Sequence, residues 1–218
     1  MVGRRFKKLA ECSIWDPILA GCEEGHVIEM PVCTHLLFGN RALEGLGLFH
    51  LPGPVKLTLV NPWFPDLPSF AHRWIEGMGA ISKATRVTSL QLEVGIFDAL
   101  LITILGLQPA LEELVLRAWG CDELEMLLNA LILNNNMPTY NGGWNRATIA
   151  DSTERMVFPL CPHLQSLKLD LENFDYEKKR NILLPLCGRI LASRRSSGQR
   201  LEGFKISWGF GRREEQVV

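Results

Sequence analysis

Leu111-Glu-Glu-Leu-Val-Leu116 and Leu164-Gln-Ser-Leu-Lys-Leu169 share one spacing, L-x-x-L-x-L, and its physical reading decides the fold. Two looser copies, Val87-x-x-Leu90-x-Leu92 and Leu201-x-x-Phe204-x-Ile206, keep apolar residues at the same three positions. Further upstream, Leu36/Phe38 and Leu57/Leu59 retain the last two. Residues two apart lie on one face of a strand, so that final pair points together into a core. The first apolar residue, three positions earlier, turns inward from the approach to the strand. One such unit cannot bury its apolar face alone, so copies must stack.

Aligned on the middle position, the copies run Leu36, Leu57, Leu90, Leu114, Leu167 and Phe204, with gaps of 21, 33, 24, 53 and 37 residues. Only two gaps fall in the usual leucine-rich-repeat range of roughly 20–29 residues, so the repeat is irregular. The gaps carry helical spacing. Phe97, Leu100, Leu101, Ile104 and Leu105 follow one strand; Leu124, Leu127, Leu128 and Leu131 follow another, with Asp122 placed to cap the first turn. A longer helix is expected over residues 176–193, with Ile182, Leu183, Leu186, Ile190 and Leu191 as its apolar stripe and a kink at Pro185. Its basic residues, including Arg194 and Arg195, are expected on a solvated face. Another helix is expected over residues 69–78, ended by Gly77 and Gly79.

Strand alternating with helix is an α/β pattern. Combined with the leucine spacing it predicts an irregular leucine-rich-repeat-like solenoid, with strands on a concave face and helices on a convex one. The whole chain, 1–218, reads as one such domain. Residues 1–50 form a divergent N-terminal repeat or cap, and 209–218 a polar tail. Residues 134–155, with Asn134-Asn-Asn136 and Asn141-Gly-Gly143, read as a flexible loop inserted between repeats.

Composition narrows the function classes. The 218 residues include 35 leucines, and 23 Lys plus Arg nearly balance 24 Asp plus Glu. A net charge of −1 lacks the basic excess that draws a chain to phosphate backbones, which argues against a nucleic-acid partner. No apolar run approaches the roughly 18 residues of a membrane span. The start is basic (Arg4, Arg5, Lys7, Lys8), but Glu11 and Asp16 interrupt what a signal peptide would need as an apolar core. Six scattered cysteines without a C-x-x-C pair fit a reducing compartment, so the expected location is cytoplasmic or nuclear.

The motifs of common chemistries are absent or incomplete. Gly45-Leu-Gly47-Leu-Phe-His50 has His where a dinucleotide fingerprint needs its third Gly, and reads as a connector. Cys33-x-His35 and Cys161-x-His163 each offer two zinc-ligand types, but a structural site needs four, and the two pairs lie several repeats apart. No G-x-S-x-G elbow occurs. No catalytic residue, cofactor or metal is therefore expected. Glu112-Glu113 reads as a pair of solvated turn residues.

Leu160-Cys-Pro-His-Leu-Gln-Ser-Leu-Lys-Leu169 resembles the cysteine-containing leucine-rich repeats of F-box proteins. With Ile81–Leu92, Gln108–Leu116 and Arg200–Ile206, the phrases are similar to the divergent F-box/leucine-rich-repeat families of mushroom-forming fungi. The resemblance covers roughly residues 80–208 and implies a protein-binding solenoid and, as partners, ubiquitin-ligase components. No F-box is legible in this chain, so no ligase-docking residue is carried over.

If leucines point inward, the residues between them point outward. Gln91, Glu93, Glu113, Arg117, Lys168, Asp170 and Lys205 are thereby the candidate partner-binding residues, on a mixed-sign concave face. Trp119 and Trp208, just beyond repeat strands, are candidate aromatic hot spots. The expectation is a non-catalytic protein–protein interaction module, with a protein or peptide as partner and the substrate-recognition part of an F-box-like ubiquitin-ligase adaptor as its specific form. A small enzyme with a loop-assembled site, or a truncated gene product, are the alternatives.

Overall fold

A computed structural model describes residues 4–5, 9–15, 27–39, 46–60, 67–94, 99–118, 122–132, 160–171, 179–199, 201–208 and 213–216. The chain opens with β1 (Arg4–Arg5), β2 (Glu11–Ile14), β3 (Ile28–Glu29), β4 (His35–Gly39), β5 (Phe49–His50) and β6 (Pro54–Val60). Helices then alternate with strands: α1 (Leu67–Ala84), β7 (Arg86–Val94), α2 (Ala99–Gly106), β8 (Glu113–Ala118) and α3 (Asp122–Ala130). After β9 (Ser166–Leu171), a π-helical turn (Lys179–Leu183) leads into α4 (Leu184–Ser196), followed by β10 (Gly203–Trp208) and β11 (Arg213–Gln216). The result is a mixed α/β fold built on a mostly parallel sheet.

Among the described residues the main sheet has eight strands in the order β2-β4-β6-β7-β8-β9-β10-β11. All neighbours from β2 to β10 are parallel, and β11 adds antiparallel to β10. Part of the stretch read as a polar tail is therefore an edge strand. The divergent first 50 residues contribute a second, smaller parallel sheet, β1-β3-β5.

The register follows the leucine alignment residue for residue. Leu36, Leu57, Leu90, Leu114, Leu167 and Phe204 are directly paired across successive strands. Phe38, Leu59, Leu92, Leu116, Leu169 and Ile206 form the companion ladder. None of these side chains is more than 4% exposed. A one-residue slip would turn both ladders to the other face, so burial alone pins the register. The first motif position is buried too, at Cys33, Val87, Leu111 and Leu164. Backbone bonds hold each approach: Glu112 N donates to Thr88 O, Ser166 N to Glu112 O, and Gly203 N to Gln165 O.

Leu101, Ile104 and Leu105 of α2, Leu124, Leu127 and Leu128 of α3, and Cys187 and Ile190 of α4 join the ladders in one core. Helices cover one face of the sheet. Two helix boundaries differ from expectation. α1 runs through Gly77 and Gly79 to Ala84, because burying Met78 and Ile81 outweighs the roughly 1 kcal/mol that each glycine costs a helix. Pro185 is the second residue of α4, directly after the π-helical turn, so its missing N–H falls where the helix changes from π to α pitch.

Arg194 is the largest departure. Expected on a solvated face, it is 0% exposed. Its Nη1 donates to Cys161 O at 3.1 Å, and its Nη2 to Leu160 O at 3.1 Å and Leu131 O at 3.4 Å. Burial pulls the guanidinium pKa down from its ordinary value. Three peptide carbonyls offset part of that desolvation. They belong to the residues on either side of the 133–159 stretch, so Arg194 ties the end of α3 to the approach to β9. The proposed loop at 134–155 lies outside the described residues.

Candidate functional site

The outward positions of the strands line up in three rows because the ladder register carries them. One row is Lys56, Ser89, Glu113, Ser166 and Gly203; the next is Thr58, Gln91, Val115, Lys168 and Lys205. The third is Val60, Glu93, Arg117, Asp170 and Ser207. All seven strand residues expected to bind a partner are therefore on one face. Gly203 permits close approach in the first row, since a Cβ there would lie 3.1 Å from Ser166 Oγ.

The charges on this face are matched to one another. Arg117 Nη1 meets Glu93 Oε1 at 2.8 Å, and its Nε meets Asp170 Oδ2 at 3.1 Å, so one guanidinium bridges three strands. Gln91 Nε2 donates to the same Glu93 oxygen at 3.0 Å. Lys168 Nζ donates to Glu113 Oε1 at 2.6 Å, and Ser89 Oγ to Glu113 Oε2 at 2.7 Å. Lys168, with Ser89 and Lys56, holds the Glu113 carboxyl below its ordinary value against the opposing effect of burial. Glu113 is thus a strand residue in a network, and the solvated-turn reading of it is corrected. Its neighbour Glu112 pairs with Arg86 at 2.8 Å.

The face is not uniform. Toward its N-terminal end lie Leu37, Val60 and the buried Thr58, whose Oγ1 is 3.0 Å from His35 Nε2. Trp15, one step beyond β2, lies across Gly39 so closely that a Cβ at Gly39 would collide with its ring. Trp15 is nevertheless 50% exposed. Leucine counting misses this tryptophan. Extending the in–out alternation one residue past Ile14 finds it.

Of the two expected hot spots, Trp119 lies outside the described residues, and Trp208 is the last residue of β10, in register with Leu171. The two Cys–His pairs stay apart, with β6, β7 and β8 between their strands, a separation of about 19 Å. Cys33 Sγ donates to the His35 carbonyl at 3.3 Å. Burial pushes the Cys161 thiol up to about 12, as it does Cys187, so both are unreactive thiols near neutral pH. Among the described residues, no three His, Cys, Asp or Glu side chains gather as a metal site requires. No helix among them is long and apolar enough to cross a membrane.

A depression of about 300 Å³ opens where β7 begins, lined in part by Ser82, Lys83, Thr85 and Arg86. Three of its polar groups are engaged structurally: Ser82 Oγ bonds Leu107 O, Thr85 Oγ1 accepts from Leu51 N, and Arg86 pairs with Glu112. Among the described residues, the sheet face carries polar groups in ordered rows across five strands. The chain matches no family model, no curated protein and no solved structure.

Proposed function

We propose that this chain is a non-catalytic protein-interaction module, a leucine-rich-repeat-like solenoid of the cytoplasm or nucleus that binds a protein or peptide across the outward sheet face. The observation that carries this reading is the alignment of Gln91, Glu93, Glu113, Arg117, Lys168, Asp170 and Lys205 in rows on one face. A wide face of part-exposed, mixed-sign side chains suits recognition of an extended surface; ligand turnover favours a concave pocket. The specific form proposed is the substrate-recognition part of an F-box-like ubiquitin-ligase adaptor, supported by the Leu160–Leu169 resemblance.

The internal pairing dictates the test. Reversing Arg117 alone would crowd a third carboxylate against Glu93 and Asp170, mixing a folding defect with a binding one. Exchanging the partners of one bridge, Glu113→Lys with Lys168→Glu, retains an ion pair while inverting the pattern a partner meets. The prediction is capture of a defined protein set from cell extract by the wild type and its loss in the exchanged variant, with melting temperature little changed. An unchanged captured set would sink the face assignment. Cullin-adaptor subunits within that set would support the ligase form.

A further inference from the structure

The two edges of the main sheet are finished differently. β11, Arg213-Glu-Glu-Gln216, closes one end with charge, a common device against unwanted strand pairing. β2, Glu11-Cys-Ser-Ile14, closes the other, and among the described residues it pairs on one side alone, with β4. The large hydrophobics that stand exposed among the described residues gather at this end: Leu9 at 42%, Trp15 at 50% and Val32 at 45%. Leu9 and Trp15 bracket β2. Val32 lies in the turn that reaches Ala10 O through Thr34 N at 2.8 Å.

The peptide groups of this edge are already sorted. Ala10 O is taken by Thr34 N and His35 N, and alternation directs those of Cys12 toward β4 as well. The N–H and C=O groups of Glu11 and Ser13 therefore face the open side. We propose that this edge pairs with the same edge of a second copy of the chain, antiparallel, about a two-fold axis centred on Cys12.

Self-complementarity selects the copy and the register. A two-fold axis normal to the sheet pairs strands antiparallel and keeps inward residues opposite inward ones. Centred on Cys12, it sets Glu11 against Ser13 of the copy twice over, and brings Leu9, just before the bend at Ala10, toward Trp15 of the copy. Both exposed bracketing hydrophobics become mutual partners, and the pair Glu11–Ser13 is the hydrogen-bonding one. Centring on Glu11 would oppose two carboxylates; centring on Ser13 would set Glu11 against Trp15. In the chosen register the two Cys12 residues form the non-hydrogen-bonded pair, with Cα atoms about 4.5 Å apart, within disulfide reach.

The full-length chain tests this by sedimentation over a range of concentrations. Expected is a reversible dimer that Leu9→Asp with Trp15→Asp weakens by about tenfold or more, through loss of the apolar contacts at both ends of the paired strands. Ser13→Pro, which removes an N–H from the open side alone, should have the same effect while the thermal transition persists. Diamide at alkaline pH supplies the register: two thiols lose their hydrogens to its N=N bond, which becomes a hydrazine, and a disulfide forms. The covalent dimer should survive Cys33→Ser and vanish with Cys12→Ser. A monomer at every concentration, a dimer indifferent to both edge variants, or a covalent dimer that persists in Cys12→Ser would each overturn the proposal.

Discussion

The two faces of the parallel sheet are built from alternate residues of the same strands and obey different rules. On the inner face every ladder position from Leu36 to Phe204 is apolar and closed to solvent. On the outer face, one residue away along the chain, charges are only part-buried and neutralise each other across strands. Inner-face identity is set by volume and dryness, which tolerate few alternatives. Outer-face identity is set by which neighbour the register supplies, and single changes there meet water as a substitute partner.

The largest expected contrast comes from truncating the middle of the inner ladder. Leu114→Ala should cost about 2–5 kcal/mol, read as a lowered midpoint in urea unfolding with little change in slope. If Leu114→Ala costs no more than an outer-face substitution, the one-sided burial is wrong.

Arg194→Ala comes next, about 3 kcal/mol, because three carbonyls, those of Leu131 and Cys161 buried, lose their donor. Hydrogen exchange should locate the loss at Leu131 and at Leu160–Cys161. A loss spread evenly over the sheet would show that Arg194 does not tie these segments.

Outer-face changes should be small. Arg117→Ala is expected to cost about 0.5 kcal/mol, since its side chain is 40% exposed and solvent screens both bridges. A double-mutant cycle with Asp170→Ala would sharpen the figure for one bridge. Smaller still is the acid response of Glu113. Its folded pKa lies below the ordinary 4.5, so its contribution is whole above that pH and is lost as the pH falls through the lowered value. Glu113→Gln should flatten the stability profile in that acid range; an unaltered profile would mean that Lys168 does not hold the carboxylate.

The contrast also explains what was legible in advance. The spacing at Leu111–Leu116 and Leu164–Leu169 already contained the ladders, because a two-residue apolar period has one way to face a core. Asp122 marked the start of α3 for an equally local reason. Arg194 was misplaced because a charged residue near a helix end reads as solvated; only the meeting of α3, α4 and the β9 approach supplies its three carbonyls. Likewise, Gly77 and Gly79 read as helix ends until the core shows what α1 gains by continuing.

By itself the sequence determined which residues are inward, which copies stand in register and which polar residues share the opposite face. These follow from local periodicity and from the cost of leaving leucine in water. The tertiary structure decided the rest: that Arg117 binds both its neighbours, that Glu113 is held by Lys168, that Trp15 lies over Gly39, and that β11 finishes one edge while exposed Leu9 and Trp15 bracket β2 at the other. Those outcomes depend on residues up to 55 positions apart in the chain, as Glu113 and Lys168 are, and strand pairing alone brings them within reach.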